Sequence, residues 1–130
     1  MAFYLDTSAA VKLVVAESGS AALRRWVGDR SGRLVSSDLL RTELVRALRR
    51  IDPALVHAAP RVLGGIILIG LDARIFDVAA GLAPPELRSL DAVHLAAAIE
   101  LGDDLDGLVT YDDRLATAAR GLGVTVVQPR

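Results

Sequence analysis

The sequence contains no cysteine among its 130 residues. Disulfides, thiolate nucleophiles and zinc–thiolate sites are therefore excluded, and a reducing compartment fits, so we expect a cytoplasmic protein. Long apolar runs are also missing. The longest, near Gly64 to Leu71, is far shorter than the roughly 18 to 20 residues that a membrane-spanning helix needs. The apolar N-terminus has no basic start and Asp6 interrupts it, which predicts an opening strand and not a signal peptide.

Aromatic residues are scarce, at 4% of the chain, so base-stacking platforms are not expected to dominate any nucleic-acid recognition. The formal net charge is only −1, which excludes a polycation, and a nucleic acid would have to meet a local basic patch. Lysine is nearly absent, since Lys12 is the one basic residue that is not arginine. Arginine suits bidentate phosphate contacts, although GC-rich coding gives the same bias.

The remaining composition, 52% hydrophobic and 24% charged, is typical of one globular domain spanning residues 1–130. Apolar strand candidates alternate with helical segments. The predicted strands are Ala2–Leu5, Leu34–Ser36, Ile66–Ile69, Leu108–Thr110 and Val124–Val127. The predicted helix caps are Thr7 or Ser8, Asp38, Asp72 and Ser89. This alternation predicts an α/β fold whose central, mainly parallel sheet is flanked by helices on both faces.

Four acidic residues lie at or next to segments that are predicted to be buried. Asp6 and Asp112 follow predicted strands, at the carboxyl edge where such sheets place their sites. Asp91 opens a helix that is apolar almost all round. Glu43 lies about 80° from the centre of the apolar stripe of its helix, at the border of the buried face. Each acid alone has an ordinary explanation, as a helix cap, a first-turn acid or a partner of Arg46.

Together the four acids predict a metal site. Clustered carboxylates raise one another's pKa values, and a divalent cation relieves the repulsion. Oxygen ligands without cysteine favour Mg²⁺, or Mn²⁺, over zinc. A cation held in this way can activate water and stabilise charge on a phosphodiester. Such a site requires the four acids to converge in the fold.

Four segments resemble the PIN-domain ribonucleases, in particular the VapC toxins of bacterial type II toxin–antitoxin pairs. Their order and spacing and the length of the chain all match. The segments are Tyr4-Leu5-Asp6-Thr7-Ser8-Ala9, Thr42-Glu43-Leu44, Leu90-Asp91-Ala92-Val93-His94-Leu95-Ala96-Ala97-Ala98 and Thr110-Tyr111-Asp112-Asp113-Arg114-Leu115. The resemblance implies a single PIN-like domain and a metal-dependent endoribonuclease.

The resemblance also implies roles for single residues. Asp6, Glu43, Asp91 and Asp112 would be the catalytic and metal-binding acids, with Ser8 and Thr110 ordering the site and Asp113 a possible helix cap. Asp6, Asp91 and Asp112 would hold Mg²⁺ or Mn²⁺, while Glu43 would orient the attacking water or complete a second metal site. The implied partners are a cognate VapB-type antitoxin, an RNA of the tRNA or rRNA class and a second copy of the chain, with no membrane. The arginines nominated to meet the RNA are Arg41, Arg46, Arg49 and Arg50.

Other readings stay open. A haloacid-dehalogenase phosphatase would need an aspartate at Ser8, and a receiver-like domain would need a late lysine, so another acidic-site phosphohydrolase fits poorly. A non-catalytic PIN-fold binding module remains the main alternative. His94 lies three residues after Asp91 and is interpreted as a hydrogen-bonded packing residue rather than a ligand.

Overall fold

The computed structural model describes all 130 residues and contains one five-stranded sheet. The strand order is β3-β2-β1-β4-β5, and every neighbouring pair is parallel. The strands are β1 (Ala2–Leu5), β2 (Leu34–Ser37), β3 (Ile67–Ile69), β4 (Leu105–Val109) and β5 (Val126–Val127). The expectation of a mainly parallel sheet is confirmed, and the crossovers between its strands are largely helical.

Seven α-helices and two short 3₁₀ segments, Pro53–Ala58 and Gly102–Asp104, connect the strands. The α-helices are α1 (Thr7–Val14), α2 (Ser20–Gly28), α3 (Leu39–Ile51), α4 (Ala59–Gly64), α5 (Ala73–Ala80), α6 (Ser89–Ile99) and α7 (Asp113–Gly121). None of these helices has the length and apolarity required to cross a bilayer.

The sheet buries both of its faces, because successive side chains of a strand point to opposite sides. On one face Tyr4 and Leu108 join the buried residues of α5, α6 and α7. On the other face Leu5 and Val109 join those of α1, α2, α3 and α4. Two hydrophobic layers therefore enclose the sheet, and the predicted helix cover of both faces is confirmed.

Several helix starts differ from the sequence prediction. Asp6 caps α1 by accepting a hydrogen bond from the amide of Ala9, so neither Thr7 nor Ser8 is the cap. Asp38 forms no capping bond and instead pairs with Arg41. Ser89 is already helical. Only Asp72 caps as predicted, through the amide of Ile75. Helix α4 was not anticipated.

Two expectations about the apolar surface differ from the structure. The β-branched run Ile66–Ile69 predicts a buried strand, yet Ile67 is 55% exposed and β3 is an edge strand. The segments Ala22–Val27 and Leu39–Leu44 predict apolar surface free for partners, yet Leu23 and Leu44 are fully buried. The exposed apolar side chains at the helices are instead Ile51, Phe76, Val78, Leu90 and Leu122.

The register of the sheet brings two functional segments together. Leu5, the last residue of β1, is paired with Val109, the last residue of β4. Because the strands are parallel, the residues that follow them leave the sheet at the same edge. Asp6 and the segment Thr110–Asp112 are therefore neighbours, although about a hundred residues of chain separate them.

Candidate active site

An open cavity of about 580 Å³ lies at this carboxyl edge of the sheet. Three of the four predicted acids line it, and Glu43 does not. The charged residues of its wall are Asp6, Lys12, Glu17, Arg50, Arg88, Asp91 and Asp112. Lys12 is buried and pairs with Glu17 at 3.1 Å, whereas no ion pair neutralises the other three acids. The cavity therefore carries an excess of negative charge.

Asp6 is the most rigidly held acid, with only 3% of its surface exposed. Oδ1 accepts hydrogen bonds from the Ser8 hydroxyl at 2.7 Å and the Ala9 amide at 3.0 Å. Oδ2 accepts one from the Thr110 hydroxyl at 2.6 Å. Burial raises the pKa of Asp6 above its ordinary value, and these hydrogen bonds oppose that rise. Asp6 is thus fixed in orientation by three donors.

Ser8 and Thr110 join the β1 and β4 segments. While donating to Asp6, the Ser8 hydroxyl accepts the amide of Tyr111 at 2.8 Å. The Thr110 hydroxyl likewise accepts the amide of Asp112 at 3.1 Å. Each hydroxyl thereby links a carboxylate on one segment to backbone on the other, and sets the approach of Asp6 to Asp112.

Asp112, and not Asp113, is the cap of α7. Its Oδ1 accepts the amides of Arg114 at 2.9 Å and Leu115 at 3.1 Å. The second oxygen, Oδ2, has no partner in the chain. Asp113 is exposed in the first turn of the helix and does not line the cavity. The Thr-Tyr-Asp register had favoured Asp112 as the site acid, and only Asp112 faces the cavity.

Asp91 differs from the other acids because it makes no hydrogen bond and no ion pair within the chain. It lies in the first turn of α6 and is partly buried. Burial, followed by the charges of Asp112 and Asp6, raises its pKa from 3.8 to about 6. An unpartnered carboxylate facing two others is costly to ionise. Ionisation of Asp91 is therefore unfavourable in the folded protein.

Glu43 is the end of a hydrogen-bonded chain that begins in the core. The buried Tyr4 hydroxyl lies 2.8 Å from Nδ1 of His94, and Nε2 of His94 lies 2.5 Å from Oε1 of Glu43. Thr7 donates to the same oxygen at 2.7 Å. Burial raises the pKa of the Tyr4 hydroxyl, which keeps it a donor, and Nε2–H of His94 then donates to Glu43.

The ionised form of Glu43 is favoured by these contacts. Burial acts to raise its pKa, but the hydrogen bonds from His94 and Thr7 outweigh it, and the pKa is lowered. The expected solvent pair with Arg46 does not form, and His94 takes that place as a hydrogen-bonded packing residue. Sequence reasoning missed Tyr4 and Thr7, since nothing along the chain signals contacts with residues 36 and 90 positions away.

The donor chemistry of the cavity fits a hard divalent cation. Asp6, Asp91 and Asp112 offer only carboxylate oxygens, and Asp91 has no other use for its charge. The side chains do not form a preassembled ligand set, because no three of them stand close enough to hold an ion as they are. The carboxylates would therefore have to draw together around a cation, and Glu43 would contribute from behind Thr7.

Comparison with known proteins agrees with this geometry. The family model described as "PIN domain" matches residues 3–121. Ribonuclease VapC46 of Mycobacterium tuberculosis is 50% identical over 128 residues, covering 98% of each chain. Ribonuclease VapC35 of the same species is 46% identical, covering 97% of this chain and 96% of its own.

A solved structure supports the fold. The crystal structure of M. tuberculosis VapC20, described as a Sarcin-Ricin loop cleaving toxin, superimposes with a TM-score of 0.79 at 19% identity, covering 98% of this chain and all of that one. At that identity the likeness concerns the fold alone. The family model and the close relatives span nearly the whole sequence, and the chain therefore belongs to the PIN-domain family, among the VapC ribonucleases.

Proposed function

We propose that the chain is a divalent-cation-dependent endoribonuclease that uses Asp6, Glu43, Asp91 and Asp112. The observation that supports this most directly is the open cavity lined by three carboxylates without an ion-pair partner. Mg²⁺, or Mn²⁺, would be held by Asp6, Asp91 and Asp112. When bound, such a cation lowers the pKa of water and stabilises negative charge on a phosphodiester.

The residues of the chain have distinct tasks in this proposal. Asp6 is a fixed acceptor, because three donors set its orientation. Asp112 keeps Oδ2 for the site while Oδ1 caps α7. Asp91 supplies the charge that nothing in the chain compensates. A water adds to phosphorus as the 3′ oxygen leaves with a proton, giving a 5′-phosphate and a 3′-hydroxyl.

Glu43 is assigned the orientation of that water and not the removal of its proton. A general base works best with a pKa near the working pH, and the pKa of Glu43 is lowered by His94 and Thr7. Both contacts use Oε1. Oε2 is left as a free acceptor of fixed direction, which suits the positioning of a water molecule.

The partners in the proposal follow from the relatives. Their name, ribonuclease VapC, supports an RNA substrate and a cognate VapB-type antitoxin that neutralises the enzyme. We include tRNA and rRNA as candidate substrate classes, the latter because VapC20 is described as a Sarcin-Ricin loop cleaving toxin. The proposal also includes a homodimer, which light scattering would reveal.

The test compares cleavage of labelled tRNA and rRNA by wild type, Asp91→Asn and Asp6→Asn, with Mg²⁺, with Mn²⁺ and with EDTA. Asp91→Asn is the cleaner variant, because Asp91 makes no hydrogen bond that its loss would disturb. Asparagine at position 6 remains a good helix cap, so α1 should persist. Asp113→Asn is the matched control, since it removes a neighbouring exposed carboxylate that does not face the cavity.

We expect cleavage by wild type and Asp113→Asn, and none by Asp6→Asn, by Asp91→Asn or in EDTA. If folded wild type, free of antitoxin, binds RNA but cleaves none of it, the chain is a PIN-fold binding module and not an enzyme. Cleavage that persists in both Asp6→Asn and Asp91→Asn would show that the acidic cavity is not the site.

A further inference from the structure

A second cavity, of about 300 Å³, adjoins the C-terminal half of α3 and is walled by Arg46, Arg49, Arg50 and Pro53. The three arginines are one turn apart or adjacent, so their side chains share one side of the helix. None of them forms an ion pair or a hydrogen bond. Arg33, Arg41 and Arg74, in contrast, each pair with an acid.

The helix itself explains only part of this arrangement. Arg49 and Arg50 lie in the last turn of α3, where the helix dipole favours positive charge. The dipole effect falls off within that turn and does not account for Arg46. Three guanidinium groups around one concavity also repel one another. The pocket therefore has uncompensated positive charge, carried by planar guanidinium groups whose N–H donors suit phosphate.

The basic cavity adjoins the acidic one at Arg50, which belongs to both walls. A polyanion approaching Asp6, Asp91 and Asp112 would be repelled unless cations beside them hold it. Because the chain has few aromatics, contacts to the phosphate backbone must supply most of the affinity for RNA.

From these observations we infer that Arg46, Arg49 and Arg50 form a subsite for backbone phosphates of RNA next to the phosphate that is cleaved. The inference rests on the proposed ribonuclease function and names the surface that binds its substrate. Arg41, nominated with them from the sequence, is excluded from the subsite because Asp38 holds it at 2.8 Å. An acidic peptide is the alternative ligand for the same positive charges. The position of these charges beside the proposed cleavage site favours RNA, because a peptide ligand gives no reason for that position.

The test measures binding and not cleavage, so that it stands apart from the nuclease assay. Fluorescently labelled oligouridine is titrated, in EDTA and over a range of KCl concentrations, with the Asp91→Asn protein and with Asp91→Asn carrying Arg46→Gln and Arg49→Gln. The matched control carries Arg25→Gln and Arg120→Gln, which remove the same charge from exposed positions on α2 and α7. Circular dichroism verifies that each variant is folded.

We expect the Arg46→Gln/Arg49→Gln protein to bind about tenfold more weakly near 0.1 M salt, with the slope of log K against log salt reduced by about 1.4, or roughly 0.7 for each lost phosphate contact. The Arg25→Gln/Arg120→Gln protein should retain the parental slope. Replacement of Arg46 and Arg49 by lysine should restore the slope but only part of the affinity, since lysine keeps the charge and loses the planar fork.

Three outcomes would overturn the subsite. They are no RNA binding by the parent at low salt, equal losses in the two double variants, and an Arg46→Gln/Arg49→Gln protein that binds RNA like the parent but binds labelled poly-glutamate, titrated in the same way, more weakly. The nuclease proposal can fail separately. A wild type that never cuts RNA, but binds it with the predicted dependence on Arg46 and Arg49, retains the subsite and loses only the catalysis.

Discussion

Asp91→Asn should stabilise the metal-free protein while abolishing its proposed activity. Asp91 is the one acid of the cavity that no donor compensates, and its pKa rises from 3.8 to about 6 because of burial and the charges of Asp112 and Asp6. Its ionisation therefore costs free energy in the folded state. Asparagine keeps the shape of the side chain and removes that charge, so the cost disappears.

The size of the effect follows from the two pKa values. At about 1.4 kcal/mol for each pH unit between them, the upper bound at neutral pH is about 3 kcal/mol. Asp91 is only partly buried, so solvent screening reduces this by roughly half. A gain of about 1.5 kcal/mol remains, or roughly 5 °C in Tm.

The pH dependence has a definite sign. A carboxyl group whose pKa is higher in the folded than in the unfolded state loses stability as pH rises through the folded value, here about 6. The advantage of Asp91→Asn should be largest at pH 7.5 and narrow to about half at pH 5, where folded wild type is largely protonated at this position.

Urea unfolding in EDTA at both pH values measures the gap between wild type and Asp91→Asn. The control is Asp77→Asn, which removes an exposed carboxylate from α5 and should change stability by less than about 0.5 kcal/mol. A variant less stable than wild type at pH 7.5, or a gap that widens on acidification, would refute the reasoning that Asp91 is an uncompensated charge.

Two further substitutions test the interior. Gly107→Ala should cost about 1 to 3 kcal/mol in urea unfolding, because a Cβ there would lie 2.9 Å from Cγ2 of Val127; Val127→Ala in the same protein should recover part of the loss, and additive losses would contradict the contact. His94→Phe should lower the rate of RNA cleavage by about 10- to 100-fold, since Glu43 loses the donor that orients it; cleavage at the wild-type rate would remove His94 from the site.

The order of elements and three of the cavity acids could be predicted from the sequence. Apolar runs alternating with helical periodicity imply a parallel sheet, and parallel strands place the residues that follow them at one edge. Asp6 and Asp112 could therefore be located from the ends of β1 and β4, and Asp91 from the buried character of α6. These inferences succeed because the apolar pattern of a short segment determines whether it is a strand or a buried helix, and the parallel sheet then determines where the segment ends.

What could not be predicted depends on packing between distant segments. Glu43 was placed at the border of its helix, but its partner His94 is 51 residues away and depends on how α3 and α6 meet at the sheet edge. The edge position of β3 could not be predicted, because an apolar run is compatible with a central strand as well as with an edge strand. Helix caps were misassigned at α1, α3 and α6, because the side chain that can reach the free helix amides depends on the backbone direction before the helix, which the local sequence leaves open.

The double use of two acids has a consequence for the history of such proteins. Asp6 caps α1 and ties β1 to β4, and Asp112 caps α7, so a lineage that no longer cuts RNA would still be selected to keep both. Asp91 has no such structural role, and in a protein that binds no cation its charge only lowers the stability of the fold. In a descendant that has lost the activity, Asp91 should be the first of the four acids to be substituted. Among relatives of this chain, position 91 is therefore the most informative single residue for separating active enzymes from inactive ones.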